Sequence, residues 1–458
     1  MIHRTKITLA ALIVAAYAGG AVAAVTAEEA KKLGTTLMPW GGEKAGNKDG
    51  TIPEWTGPVK AANYDPKVPG ARPDPFANEK AQFSIDGKNM DKYADKLTEG
   101  IKALLKKYPS YRLDIYPSHR TANYPKFFQD NALKNATVCK TTDNELKIDG
   151  CYAGTPFPIP KTGNEVMWNR LLKYDNHVTD VKGLVSFLVD PKGNTTIGGQ
   201  YDFTAYYPIF DPKKTGVIGA KDPYEKIRID YWNPARKAGE KLVIHDNVDM
   251  VSVGRQAWSY LPGQRRVKLS PDVAYDTPSP TGGTATTVDD AAVFYGALDR
   301  FDFKLVGKKE MYIPYNAYKA RDLKVCPPEV INTKNHLNPD CLRWELHRVW
   351  VVEATVKPGQ RHLYPKRTFY WDEDLPGAGL ADNYDAAGQL YRMVHSMPIT
   401  FYESEGQGHG TDPYVVYDLS NGYYSSQMYS VDPKGWEVVT PHPEHFYSPE
   451  ALAGSGVR

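Results

Sequence analysis

From about Leu184 onward the chain runs in short stretches where apolar and polar residues alternate, interrupted by Gly and Pro, which is the pattern of antiparallel hairpins. Leu184 to Val189 turns through Asp190-Pro191-Lys192-Gly193 into a strand reaching Phe210, and Arg255 to Tyr260 turns through Pro262-Gly263 into Arg265 to Leu269. Phe301 to Val306 turns through Gly307-Lys308-Lys309 into Met311 to Tyr315, and Trp344 to Val356 turns through Pro358-Gly359 into His362 to Trp371. Asn421-Gly422 links Tyr414 to Leu419 with Tyr423 to Val431. Sequential hairpins predict an antiparallel meander, a β-dominated α+β fold. Along Trp344 to Ala354 the period of two places Trp344, Leu346, Trp350, Val352 and Ala354 on one apolar side, with Arg348 the exception, and Glu345, His347 and Glu353 on the other. Trp258 with Tyr260, and Phe369 with Trp371, repeat this aromatic side.

Helical spacing is confined to three places. Tyr93, Leu97, Ile101, Leu104 and Tyr108 recur every three or four residues and predict a helix stopped by Pro109. Glu165 to Tyr174 predicts a second. Thr286 and Asp289, at capping-box spacing, predict a third from Val288 to Leu298, with early acids suited to its N-terminus. Residues 24–86 are punctuated by Pro, Gly and Trp and hold no long element, so they read as an arm wrapping over the main domain, 87–458.

The first residues change the picture of where this fold works. His3, Arg4 and Lys6 precede an apolar run from Ile7 to Ala18, and Ala21-Val22-Ala23 supplies a small-residue cleavage pattern. Residues 1–23 therefore read as a signal peptide cleaved near Ala23, and the chain as a soluble periplasmic protein. The apolar run is shorter than a bilayer span requires. The full chain carries 56 Lys+Arg against 54 Asp+Glu. Loss of Arg4 and Lys6 with the leader makes the mature chain formally neutral, which argues against a nucleic-acid partner. The basic clusters Arg265-Arg266-Lys268 and Lys366-Arg367 read as solvated strand sides.

Four cysteines in an exported chain favour disulfides over thiol or zinc chemistry, since no pair has C-x-x-C spacing. Of three possible pairings, Cys139 with Cys151 and Cys326 with Cys341 is preferred. Asp149-Gly150 turns the first pair back on itself, and Pro327-Pro328 and Asn338-Pro339 bound a loop between the second.

Candidate chemistry is sparse. Asn47-Lys48-Asp49-Gly50-Thr51-Ile52 matches the middle of a calcium loop, but Ala45 and Thr56 stand where its first and last carboxylates belong, so an Asx-type turn is the better reading. His442-Pro443-Glu444-His445 lacks a metalloprotease spacing and reads as a solvated turn. Gly406-Gln407-Gly408-His409-Gly410 reads as a loop displaying a histidine, with no partner acid or nucleophile assignable. There is no P-loop and no dinucleotide fingerprint. No catalytic residue, metal or cofactor is assigned, and the chain is not read as an enzyme.

The segment RQAWSYLPGQRRV, Arg255 to Val267, strongly resembles the bacterial family known as domain of unknown function 1329, described as similar to outer membrane lipoprotein-sorting proteins. NKDGTIPEWTG from Asn47, GKKEMYIPY from Gly307, ELHRVWVVEA from Glu345 and RHLYPKRTFYWDED from Arg361 resemble the same family. The resemblance implies a lipoprotein-carrier-like fold, a large curved antiparallel sheet forming an incomplete β-barrel around an apolar hollow, with covering helices. It also implies association with resistance-nodulation-division-type transporters and outer-membrane proteins. The expected function is a periplasmic carrier or chaperone for a hydrophobic, lipid-like molecule, with Trp258, Tyr260, Trp350, Phe369 and Trp371 as candidate lining residues. The alternatives are a non-catalytic adaptor for such a transporter or outer-membrane protein, docking through residues 24–86, and an envelope hydrolase.

Overall fold

The computed structural model describes residues 25–59, 72–402, 408–410, 413–432 and 434–454, so the predicted leader lies outside the described residues. Short strands β1 (Phe83–Ile85) and β2 (Leu113–Ile115) precede two meanders. The first comprises β3 (Val178–Val189), β4 (Thr195–Tyr206), β5 (Pro223–Asn233), β6 (Lys241–Asn247), β7 (Gln256–Leu261) and β8 (Arg266–Leu269). The second begins with β9 (Phe301–Pro314), β10 (Trp344–Val356) and β11 (Lys366–Asp372), and continues through β12 (Gly379–Tyr384), β13 (Leu390–Ser396), β14 (Tyr414–Asp418) and β15 (Tyr424–Ser430). β15 pairs antiparallel with β3, Ser425 opposite Leu188 and Tyr429 opposite Val185, and this joins the meanders. With β16 (Trp436–Val438) on the far half of β3, the result is one 16-stranded sheet. Its pairings are antiparallel except for a parallel bridge between Ile115 and Trp344. The ends of the strand path, β1 and β8, are not paired to each other, so the sheet stays open.

Helices cover the second meander. On one face α1 (Glu99–Lys107) buries Ile101, Leu104 and Leu105. The loop closed by the Cys326–Cys341 disulfide buries Ile331 and Leu337 in the same core. On the other face α2 (Lys126–Val138) and α3 (Gly163–Leu171) bring Phe128, Met167 and Trp168 against Phe369 and Trp371. The second disulfide, Cys139–Cys151, ties the end of α2 to the chain beyond the next hairpin. Both cysteine pairs are those read from the sequence.

The N-terminal segment is built into this core. Met38 and Trp40 are buried with the α2–α3 core, and Ile52 with the α1 core. Trp40 meets Trp55 edge-on at 5.7 Å and Tyr124 at 4.9 Å. Arg120 donates to the Lys44 carbonyl at 3.2 Å and Arg348 to the Ala45 carbonyl at 3.1 Å, so the backbone is bound as well as the side chains. Asn47 closes its own turn: its Oδ1 accepts from the Ile52 N–H at 2.9 Å and its Nδ2 donates to Thr51 Oγ1 at 2.8 Å.

Several elements depart from the sequence reading, each for an identifiable reason. Phe301 to Pro314 is one continuous strand, because Gly307, at φ 140°, absorbs a bulge between Leu305 and Gly307 in place of a turn. The third helix shrinks to a short 3-10 segment, Val288–Val293, capped by Thr287 and Asp290 one residue later than expected and broken by Ala291 and Ala292. On the polar side of β10, Glu345 and His347 are 0% and 1% exposed, because the sheet is covered on both faces here. Arg367 is likewise fully buried, paired with Asp289 at 2.7 Å and Asp290 at 3.3 Å.

Candidate functional site

The first meander differs from the second in what covers its faces. Period-two alternation along β4, β5 and β6 sends two rows of apolar side chains to one side. One row runs Trp436, Val181, Phe203, Ile229, Leu242 across neighbouring strands, and the next runs Thr179, Ala205, Ile227, Ile244, Ala257. No helix of eight residues or more lies on these rows among the described residues. They face a cavity of about 170 Å³, partly open to solvent, completed by the segment from Val273 to Tyr295 and by Phe401, Tyr414 and Met428. This is of the order of the ~150 Å³ apolar void that takes up benzene or xenon in an engineered core.

The covering segment is held by buried charge. Arg367 pairs with Asp289 and Asp290, His362 Nε2 lies 2.9 Å from Asp289 Oδ2, and the Tyr364 hydroxyl donates to Asp290 at 2.8 Å. Burial opposes ionisation of Asp289, yet Arg367 and His362 hold its carboxyl well below the usual range. Arg170 of α3 donates to the Ala292 carbonyl at 2.7 Å. Ala292 and Val293 sit at φ 46° and 77°, left-handed backbone that costs a non-glycine residue about 1–3 kcal/mol and persists where surrounding contacts enforce it.

One end of the cavity is polar. Arg170, Lys173, Asp175, Glu225 and His409 line it together with Tyr207 and Tyr295. Lys173 pairs with Asp175. Burial, aided by the Asp246 charge, pushes Glu225 up, while Tyr295, Lys173 and Tyr207 oppose the shift. Burial, with Lys173 adding to it, pushes His409 down to about 3. His409 is therefore a neutral imidazole, 1% exposed, fixed by the Thr400–His409 bridge. The adjacent Gly408 is required by close packing, since a Cβ there would fall 1.7 Å from Asn176 Oδ1. The glycine-rich context marked this histidine in the sequence but suggested display on a loop, whereas close packing buries it against the cavity.

None of the five aromatic residues expected to line a hollow borders this cavity. Phe369 and Trp371 are fully buried one layer behind it, Phe369 meeting the cavity-lining Phe294 at 5.4 Å and Trp371 lying under the Arg170 guanidinium at 5.1 Å. Trp350 packs at the rim of the α2–α3 core with the Lys308 ammonium over its ring. Trp258 pairs with Val243, between Leu242 and Ile244 in sequence, so it and Tyr260 point away from the cavity and pack on Leu452 of α4 (Pro449–Gly454). The cavity rows were missed because Ile229 and Leu242 belong to strands that no hairpin turn announced, so the row that Phe203 shares with them was not visible. Among the described residues no group of three His, Cys, Asp or Glu is placed to hold a metal, and no helix is long and apolar enough to cross a membrane.

Comparison with known proteins places these features in a family. The family model described as "Protein of unknown function (DUF1329)" matches residues 84–453. An uncharacterized protein of Pseudomonas aeruginosa is 38% identical over 450 residues, 95% of this chain and 95% of that protein. Among solved structures, a putative outer membrane lipoprotein-sorting protein domain from Vibrio parahaemolyticus superposes with a TM-score of 0.42 at 12% identity, covering 63% of this chain and 97% of that one. A DUF1329 family protein from Desulfovibrio piger gives 0.39 at 13%, covering 61% and 92%. A LolA superfamily protein from Nitrosomonas europaea gives 0.37 at 12%, covering 64% and 100%.

Proposed function

The chain belongs to the DUF1329 family, and since that family is defined by no activity, we propose a function from the cavity itself: a periplasmic carrier or chaperone that shelters a hydrophobic molecule against the first meander. The observation that carries this reading is the pair of cross-strand apolar rows left without a covering helix in the first meander, whereas the second carries α1 on one face and α2 and α3 on the other. Burying apolar guest surface there yields roughly 25 cal/mol per Å², so affinity needs no charged signature. Phe369 and Trp371 support the wall from behind. No bond is made or broken in such a role, and the candidate cargo is an acyl-chain-like or similarly apolar molecule taken up and released in an envelope transport pathway.

The adaptor reading, with a resistance-nodulation-division-type transporter or an outer-membrane protein as partner, uses residues 24–86 as its docking arm. The burial of Met38, Trp40 and Ile52 commits that arm to the core, which favours the carrier reading. Native mass spectrometry of the protein purified from periplasm, followed by organic extraction, tests the proposal. A bound hydrophobe is expected in the wild type and lost in Ile229→Trp, which fills the cavity. Repeated recovery of empty protein that also fails to bind an apolar dye would overturn it.

A further inference from the structure

The cavity's polar end distinguishes among hydrophobic molecules. Its cations are already engaged: Lys173 with Asp175, Arg170 with the Ala292 carbonyl, and behind them Arg255 with Asp246 at 2.7 Å. Among the described residues the cavity lining keeps unmade hydrogen bonds at Asp175 Oδ1 and the Tyr295 hydroxyl as well as at His409 and Glu225. Neither ring nitrogen of His409 has a partner, and neither does Glu225 Oε2. Both residues are buried, at 1% and 6% exposed, and both border the cavity. Leaving such groups unsatisfied costs about 1–3 kcal/mol each, a cost that a guest with matching polarity removes.

A neutral imidazole offers one donor and one acceptor. A carboxylate or phosphate guest would bring negative charge beside Glu225 and Asp246, where the neighbouring cations are spent on their own partners. An ammonium guest would face Lys173. A hydroxyl both donates and accepts, and carries no charge to desolvate. We propose that the cavity selects a long-chain molecule with an uncharged hydroxyl head, held by His409 and Glu225, with the chain lying along the apolar rows. This rests on the reading of the cavity as the cargo site. The low pKa of His409 agrees with it, because the ring stays neutral across the pH range of the cell envelope.

The test is displacement of an apolar naphthylamine dye from the purified mature protein by dodecane, dodecanol, dodecanoate and dodecylamine. Dodecanol is expected to bind about tenfold more tightly than dodecanoate or dodecylamine, the equivalent of one or two well-made hydrogen bonds. His409→Phe should erase that preference. Should His409→Phe fail to fold by near-ultraviolet circular dichroism, Glu225→Gln is read instead. It keeps an acceptor, removes the charge, and is expected to narrow the gap between dodecanol and dodecanoate. Equal binding of all four probes, blocked by Ile229→Trp, sinks the head-group assignment alone. Dye binding that Ile229→Trp does not block, or no dye binding, sinks the cavity reading with it.

Discussion

His347 is a cation kept inside the fold. Its Nε2 lies 3.1 Å from Glu345 and its Nδ1 3.3 Å from Asp372, and its ring stacks on Tyr315 at 3.9 Å. Burial alone would neutralise it, but the two carboxylates outweigh burial and carry its pKa from 6.5 to about 9. Glu345 is held down to about 2 against its own burial by His347 and Arg343. Because the folded histidine binds its proton more tightly than the unfolded one, its contribution to stability is complete below about pH 6.5 and is lost as pH rises through about 9. Urea unfolding over that window should show stability falling by no more than about 1.4 kcal/mol per pH unit from this group. His347→Gln should remove that part of the slope, and an unchanged slope would mean the ring is neutral in the fold. Hydrophobic alternation placed Glu345 and His347 on the side opposite the apolar residues. What it could not contain is the second layer that covers them, which is made of residues distant in sequence.

At the scale of elements, α1 shows how closely the helices seat on the sheet. Thr98 caps it by accepting from the Ile101 N–H at 3.2 Å, and Asp382 of β12 accepts from the Glu99 and Gly100 N–H groups at 2.9 and 3.0 Å. A Cβ on Gly100 would lie 2.3 Å from Met393 and 2.5 Å from Asp382. Gly100→Ala should therefore destabilise by about 1–3 kcal/mol despite the better helix propensity of alanine, as measured by the urea midpoint. A neutral or stabilising result would show that α1 can shift on the sheet. Elements announced by local chemistry were legible: Asp190 to Gly193 and Asn421-Gly422 do sit between paired strands, and Glu165 to Tyr174 overlaps α3, which starts two residues earlier and ends three earlier. α2 was not legible, because its buried face includes Asn131 and Asn135, which donate to the carbonyls of Ala153, Tyr152 and Thr155 and so break the apolar period. Tyr93 was assigned to α1's face, yet it belongs to a separate 3-10 segment, Met90–Lys96, and Leu97 is extended between the two. The cavity followed the same rule. Aromatic density pointed to Phe369 and Trp371, and aromatic density marks a filled interior as readily as a hollow.

On the scale of the whole molecule, the N-terminal segment is part of the protein's stability. Burying Met38, Trp40 and Ile52 contributes about 1.5–3 kcal/mol each, which together rivals the net stability of an ordinary domain. A chain lacking residues 25–59 should lose its cooperative thermal transition in near-ultraviolet circular dichroism. A melting temperature within a few degrees of the intact protein would show that the segment is a removable arm. The pairing of β15 with β3 has a different consequence, one of timing. Tyr424 must find Val189, so the first meander is synthesised long before the strand that completes it. Until then β3 presents a long unpaired edge, and pairings so distant along a chain form slowly. A chain made from its N-terminus thus depends, for its last and most necessary contact, on its final strands arriving before a neighbouring molecule takes their place.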